Sequence, residues 1–166
     1  RYKRRLSKRK RVWNMVCKLP KFPIPPYSLH DGRICCMEQE NENLRLWLES
    51  GFVETIPPYR QVSGSVQFTE VDWGASYAYL LRYGNSLCGN VGEFHGEKLL
   101  LQTFLSLFGK EGLDVYDEAF GWNQVKLCGM LLSDPEVQEC ILEIRYAGEM
   151  LFDIEEQQPD TLRNPK

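Results

Sequence analysis

The first 21 residues contain neither aspartate nor glutamate. They include ten lysines and arginines, so this basic arm, residues 1–21, has a formal charge of +10. Residues 22–166 contain ten basic and 23 acidic residues, which gives the rest of the chain a charge of −13. The overall charge of −3 therefore conceals a basic arm that suits binding to polyanions and an acidic body that does not.

The chain also lacks a long hydrophobic run. The longest one, from Leu99 to Phe108, is interrupted by Gln102, Thr103 and Ser106. It is far shorter than the roughly 20 residues that a membrane-spanning helix needs. We therefore expect no transmembrane segment.

No two of the six cysteines have the C-x-x-C spacing. A chain of 166 residues can bury a core without disulfides, so we expect mostly reduced, buried thiols. His30, Cys35 and Cys36 lie close together, but adjacent cysteines do not form the paired hook of a structural zinc site. We expect no metal ion.

Catalytic and cofactor-binding signatures are missing as well. The segment Gly96-Glu97-Lys98 lacks the glycine spacing and the following Ser/Thr of a phosphate-binding loop. Residues 84–98 do include Cys88 and His95, which could form a nucleophile and base pair, although a long surface loop has the same composition. We expect a protein that is not an enzyme and binds no cofactor, with a Cys88/His95 enzyme as an alternative.

What is present is the arm, whose lysines and arginines can neutralise phosphates and whose tryptophan can stack on unpaired bases. The residues expected to bind nucleic acid are Lys3, Arg4, Arg5, Lys8, Arg9, Lys10, Arg11 and Trp13. An acid-free arm interspersed with aromatics suits RNA better than sequence-specific DNA recognition. Alternative interpretations are a nuclear localisation signal, an exposed tail, and adsorption to a membrane surface.

Four prolines between residues 20 and 26 predict an extended, polyproline-like strap over residues 22–36. Beyond it we expect a globular, mainly helical domain over residues 37–152 and a polar tail over residues 153–166. The strap then links the basic arm to this domain.

Hydrophobic periodicity predicts four helices in the body. They cover Met37–Glu49, Thr69–Tyr83 up to a stop at Gly84, Glu97–Phe108 and Ser133–Leu151, the last beginning at a capping box. Alternation over Val62–Thr69 predicts a strand, residues 84–96 a loop, and residues 113–132 remain ambiguous. The predicted fold class is α+β, a predominantly helical single domain with a small antiparallel sheet and an extended basic N-terminal arm.

Most of the aromatic residues are expected in the core. Tyr79 and Tyr83 fall on the opposite face of the predicted helix from Trp73 and Tyr77. They are therefore the candidates for an interface.

These features together favour a non-enzymatic structural or adaptor subunit of a ribonucleoprotein, such as an organellar ribosome. Its partners would be RNA and neighbouring protein subunits, and its location the mitochondrial matrix. The arm has the composition of a transit peptide, but because a presequence is cleaved on import, we expect a retained arm to be functional rather than an import signal. The alternatives are a nuclear or viral nucleic-acid-binding regulatory protein, whose arm is also a localisation signal, the Cys88/His95 enzyme, and a peripheral subunit of a membrane complex.

Overall fold

Buried and outward-facing side chains alternate along much of the chain, which is the pattern of strands with one face on a core. In residues 43–48, for instance, Leu44, Leu46 and Leu48 are buried, whereas Arg45 and Trp47 lie on the other face. The computed structural model describes residues 24–88 and 91–155.

These residues form twelve strands and one helix. The strands are β1 (Tyr27–Ser28), β2 (Arg33–Glu40), β3 (Asn43–Leu48), β4 (Phe52–Glu54), β5 (Gln61–Val62), β6 (Gly64–Phe68), β7 (Tyr77–Cys88), β8 (Val91–Leu100), β9 (Gly112–Gly121), β10 (Gln124–Ser133), β11 (Glu136–Arg145) and β12 (Met150–Ile154). The helix, α1 (Leu101–Phe108), follows β8 directly. No helix among the described residues is both long and apolar enough to cross a membrane.

Nine strands form one antiparallel sheet in the order β12-β6-β3-β2-β9-β10-β11-β7-β8, and a small second sheet has the order β1-β4-β5. The register between β2 and β9 consists of two residue pairs, Arg33 with Asp114 and Ile34 with Leu113. These two strands therefore join a four-strand half of the large sheet to a five-strand half.

One hydrophobic core draws side chains from both halves, including Leu46 and Phe68 from the first and Leu127 and Leu142 from the second. The halves also meet through the segments that follow β6 and β11. Asp72 N–H donates to the Arg145 carbonyl oxygen at 2.8 Å, and Val71 forms an antiparallel bridge with Tyr146. The large sheet therefore curls around its apolar face, which removes that face from water.

Helix α1 covers part of this core. Leu101 and Phe104 are completely buried, whereas Leu107 is 61% exposed. The predicted helix over Glu97–Phe108 is thus confirmed for its second part, but residues 97–100 continue β8 because they pair with the start of β7.

The prediction of a predominantly helical fold was wrong. Residues 37–49 form most of the β2–β3 hairpin, in which Glu40 pairs with Asn43 across a two-residue turn. Asn41 occupies this turn with φ +58°, a conformation that asparagine tolerates better than most residues. The helix formers around this turn are overridden by cross-strand pairing and by burial of alternate leucines.

The predicted C-terminal helix over residues 133–151 is also wrong. Ser133 pairs with Glu136 across the turn between β10 and β11, and the Ser133 hydroxyl donates to the Glu136 carbonyl oxygen at 3.2 Å. The residues of the apparent capping box therefore close a hairpin. Strand β11 lies between β10 and β7, where both of its edges have hydrogen-bonding partners.

The predicted helix over residues 69–83 is wrong, because these residues contain a turn and the first part of β7. Asp72 does cap a turn, since its Oδ1 accepts hydrogen bonds from the backbone N–H groups of Gly74 and Ala75, both at 3.1 Å. The predicted loop over residues 84–96 belongs largely to β7 and β8.

The strand predicted over residues 62–69 is confirmed for Gly64–Phe68, which form β6 with Val66 and Phe68 buried, whereas Val62 belongs to β5 of the small sheet. The expected boundary between strap and body, residues 36 and 37, falls inside β2. The sheet therefore includes residues that composition assigned to the strap.

Candidate functional site

The eight residues predicted to bind nucleic acid lie outside the described residues. They are Lys3, Arg4, Arg5, Lys8, Arg9, Lys10, Arg11 and Trp13. The described body begins at Ile24, three residues after the arm ends.

The second candidate, Cys88 with His95, lies in the β7–β8 hairpin. Cys88 pairs with Val91 and His95 with Arg82, so the register places the two positions four residues apart along β8. That separation is about 13 Å between Cα atoms, whereas a nucleophile and its base must approach to about 3 Å. The strand pairing does not bring these positions together.

His95 does have a nearby carboxylate. Its Nε2 lies 3.9 Å from Oε2 of Glu93, and both side chains are more than two-thirds exposed. Such a pair is open to water and salt, which weaken it.

His30, Cys35 and Cys36 occupy separate environments around the start of β2. His30 Nδ1 lies 3.0 Å from the Asp31 carboxylate, and the Cys35 thiol donates to the Trp47 carbonyl oxygen at 3.4 Å. Within residues 24–88 and 91–155, no group of three or more histidine, cysteine, aspartate or glutamate side chains could hold a metal ion.

Three described thiols have raised pKa values. Burial is the main cause for Cys36, Cys128 and Cys140, and it raises the pKa of Cys140 to about 12. Since the thiolate is the nucleophilic form, these three thiols are poorly suited to covalent catalysis at neutral pH.

The outward face of β8, β7, β11 and β10 has a different character. We call the half of this face nearer the β9–β10 turn the tyrosine–lysine face, defined by Tyr77, Tyr79, Lys98, Lys126 and Arg145. The register explains the grouping, because Lys98 lies opposite Tyr79, Tyr77 opposite Glu143, and Glu143 opposite Lys126. Residues directly opposite each other in antiparallel strands share a face.

Contacts hold these side chains in fixed positions. The ammonium of Lys98 lies 3.6 Å from the ring centroid of Tyr77 and 5.4 Å from that of Tyr79. The Tyr77 hydroxyl donates to the Gly74 carbonyl oxygen at 3.0 Å, and the Tyr79 hydroxyl to Glu143 Oε2 at 3.3 Å. The two rings and the ammonium therefore form one cation–π cluster.

Glu143 is the carboxylate at the centre of the face, and it is 8% exposed. Burial by itself would raise its pKa, but hydrogen bonds from Arg145 and Tyr79 and the charges of Lys126 and Arg145 outweigh burial and lower it. Arg145 Nη2 lies 3.0 Å and Lys126 Nζ 3.6 Å from this carboxylate. One acid is thus shared between two cations.

Elsewhere in the described body, the arginines have acidic partners of their own. The pairs are Arg33 with Asp114, Arg45 with Glu40, Arg60 with Glu54, and Arg82 with Glu136. The tyrosine–lysine face differs, since Lys126 and Arg145 share the Glu143 carboxylate and Lys98 contacts the rings of Tyr77 and Tyr79.

The turn between β9 and β10 lies beside this face. Trp122 in that turn is 84% exposed. Gln124, two residues later, begins β10 and lies opposite Arg145. Towards the other end of the face, Asp117 and Glu139 lie near Cys128 and raise its pKa, after burial, which is the larger cause. The positive region therefore ends at about the level of Cys128.

Sequence reasoning missed this grouping. The helical period predicts Tyr79 at an interface and Tyr77 in the core, because it separates two positions that a strand places on one face. A period of two over residues 77–81 is the signal that would have joined the tyrosines. Lys98, Lys126 and Arg145 are isolated in the sequence, and only strand pairing brings them together.

No family model, curated protein or solved structure matches this chain. Its candidate sites are therefore identified by their own geometry and charge.

Proposed function

We propose that this protein is a non-enzymatic, RNA-binding structural or adaptor subunit of a ribonucleoprotein assembly. Its basic arm contacts RNA phosphates, and its acidic body docks on neighbouring proteins. The observation that carries the proposal is the separation of charge, +10 in residues 1–21 against −13 in residues 22–166. Lysines and arginines that neutralise phosphates release counterions, which is the main source of non-specific affinity for nucleic acid.

The body has features that suit contact with proteins. Thr55 N–H donates to the Pro26 carbonyl oxygen at 3.0 Å, which joins two apolar segments at the small sheet. Ile24, Ile56 and Tyr59 in these segments are 80%, 67% and 60% exposed. A cluster of exposed apolar side chains on an otherwise acidic domain is typical of an interaction surface.

The alternative is a nuclear or viral nucleic-acid-binding regulatory protein. It is favoured by the run Lys8-Arg9-Lys10-Arg11, which resembles a nuclear localisation signal. The organellar proposal instead places the protein in the mitochondrial matrix. Microscopy of the tagged full-length protein distinguishes the two compartments.

The test is RNA binding by the full chain as a function of salt concentration. We expect the double variant Arg9→Gln/Lys10→Gln to lower the slope of log K against log salt by about 1.4, since each lost phosphate contact lowers it by about 0.7. The matched control is Arg163→Gln/Lys166→Gln, which removes the same charge from the other end of the chain. This control should leave the slope close to that of the unchanged protein.

Two results would contradict the proposal. Full-length protein that does not bind structured or single-stranded RNA would overturn RNA binding altogether. Equal slopes for the two double variants would show that the arm has no specific part in RNA binding.

A further inference from the structure

The tyrosine–lysine face extends from the edge strand β8 across β7 and β11 to β10, away from the arm in sequence. Between Lys98 on β8 and Lys126 on β10 lie two intervening strands, so the two cations are about 14 Å apart across the sheet. The Gln124–Arg145 pair lies two residue pairs beyond the Lys126–Glu143 pair, towards the β9–β10 turn that contains Trp122. The face therefore presents cations over a length that several phosphates could span.

The charge of this face is positive on an acidic domain. Glu143 already accepts hydrogen bonds from Arg145 and Tyr79 and lies beside Lys126. Its negative charge is therefore satisfied within the protein and opposes an incoming anion less than a free carboxylate would. Lys98 contacts aromatic rings in place of an acid, so its charge remains available to a ligand.

The aromatic groups provide the second element of recognition. Hydrogen bonds from the hydroxyls of Tyr77 and Tyr79 fix both rings before any ligand binds. Trp122 exposes most of its ring to water, and its turn lies next to the Gln124–Arg145 pair at the end of this face. Exposed aromatic rings beside cations on a sheet are a common platform for unpaired bases.

We infer that the tyrosine–lysine face, together with Trp122, is a second RNA-binding surface that takes single-stranded RNA. Lys98, Lys126 and Arg145 contact phosphates, and Trp122 stacks on a base. This inference rests on the proposed function, because the same chain then presents an arm and a sheet face to one polyanion. Two such contacts on one chain raise its avidity for RNA, since the second forms within the complex made by the first.

The experiment uses full-length protein and a labelled oligouridine across a salt titration. The face variant is Lys98→Gln/Lys126→Gln, and its matched control is Arg60→Gln/Lys110→Gln, which removes two exposed cations elsewhere. We expect the face variant to bind about tenfold more weakly and to lower the salt slope by about 1.4. The control should differ from the unchanged protein by less than about twofold.

Trp122→Ala tests stacking separately from charge. Its side chain is 84% exposed, so the fold does not depend on it. We expect about fivefold to tenfold weaker binding of oligouridine with an unchanged salt slope, because stacking on a base involves no phosphate. Binding of duplex RNA should be unaffected, since its bases are already stacked.

The outcomes separate this inference from the proposed function. If the full chain binds oligouridine but the face variant and Trp122→Ala behave like the control, the face does not bind RNA, whereas the role of the arm stands. If the full chain binds no RNA, both are overturned. If the face variants lose binding to phosphatidylserine vesicles and retain oligouridine binding, the face is a lipid surface and the inference is wrong.

Discussion

Glu143 shows how a single residue depends on its neighbours in this sheet. A carboxylate with 8% exposure would be costly to bury alone. Tyr79 and Arg145 donate hydrogen bonds to it, and Lys126 and Arg145 neutralise its charge. Tyr79 and Lys126 come from the strands on either side, so the carboxylate also links β7, β11 and β10 on their outward face.

We predict that Glu143→Gln lowers the free energy of unfolding by about 1–2 kcal/mol at neutral pH, because the charge-assisted hydrogen bonds are lost. Since its partners lower the pKa of Glu143 in the folded state, this stabilisation is complete above the ordinary glutamate value of about 4.3. It is lost as the pH falls through the folded pKa. Urea denaturation at several pH values should therefore show the variant and the unchanged protein converging in acid.

Glu149→Gln is the control for this prediction, because Glu149 is exposed and contributes backbone hydrogen bonds to the fold. Its stability should change by less than about 0.5 kcal/mol. If the difference in the free energy of unfolding between Glu143→Gln and the unchanged protein did not depend on pH, the link between the pKa of Glu143 and stability would be contradicted.

At the level of elements, β11 explains why periodicity misled the sequence analysis. Its inward side chains Cys140, Leu142 and Ile144 are buried, and on the outward side Ile141 is half-buried and Glu143 buried. Because Ile141 lies on the outward side between inward-facing Cys140 and Leu142, the apolar residues of β11 match a helical period as well as an alternating one. Helix α1 was recognised because its apolar stripe does match one helical face.

The two faces of α1 should respond differently to truncation. We predict that Phe104→Ala lowers the free energy of unfolding by about 3–5 kcal/mol, because it leaves a cavity at a fully buried position. Leu107→Ala, at a position 61% exposed on the same helix, should cost less than about 1 kcal/mol. Chemical denaturation measures both, and equal losses would contradict the placement of α1 against the core.

For the whole molecule, the buried core of the described residues extends from Leu29 to Ile144 through both halves of the large sheet, and Tyr27 and Phe152 pack against it. The connections after β6 and β11 join these halves by backbone hydrogen bonds. Stability should therefore be a property of residues 24–155 acting together, with the basic arm thermodynamically separable from them.

We predict that a chain beginning at Phe22 keeps its far-ultraviolet circular dichroism spectrum and melts within about 3 °C of the full chain. A chain beginning at Met37, the domain boundary expected from composition, should fail to fold, because it lacks Leu29, Ile34 and half of β2. Loss of structure on removal of the arm alone would show that the arm contributes to the core.

Several properties were determined by the sequence alone. The separation of charge, the strand around Val66 and Phe68, and the apolar face of α1 each follow from residues that lie close together in the chain. Such local patterns are readable because a few neighbouring residues contain the whole signal.

The tertiary structure decided the rest. Residues with high helix propensity became strands because distant partners satisfied their backbone groups, as β10 and β7 do for β11. It likewise placed Lys98, Lys126 and Arg145 on one face and kept Cys88 apart from His95 along the β7–β8 hairpin. Strand order and register connect positions that are far apart in the sequence, so local pattern could not indicate these arrangements.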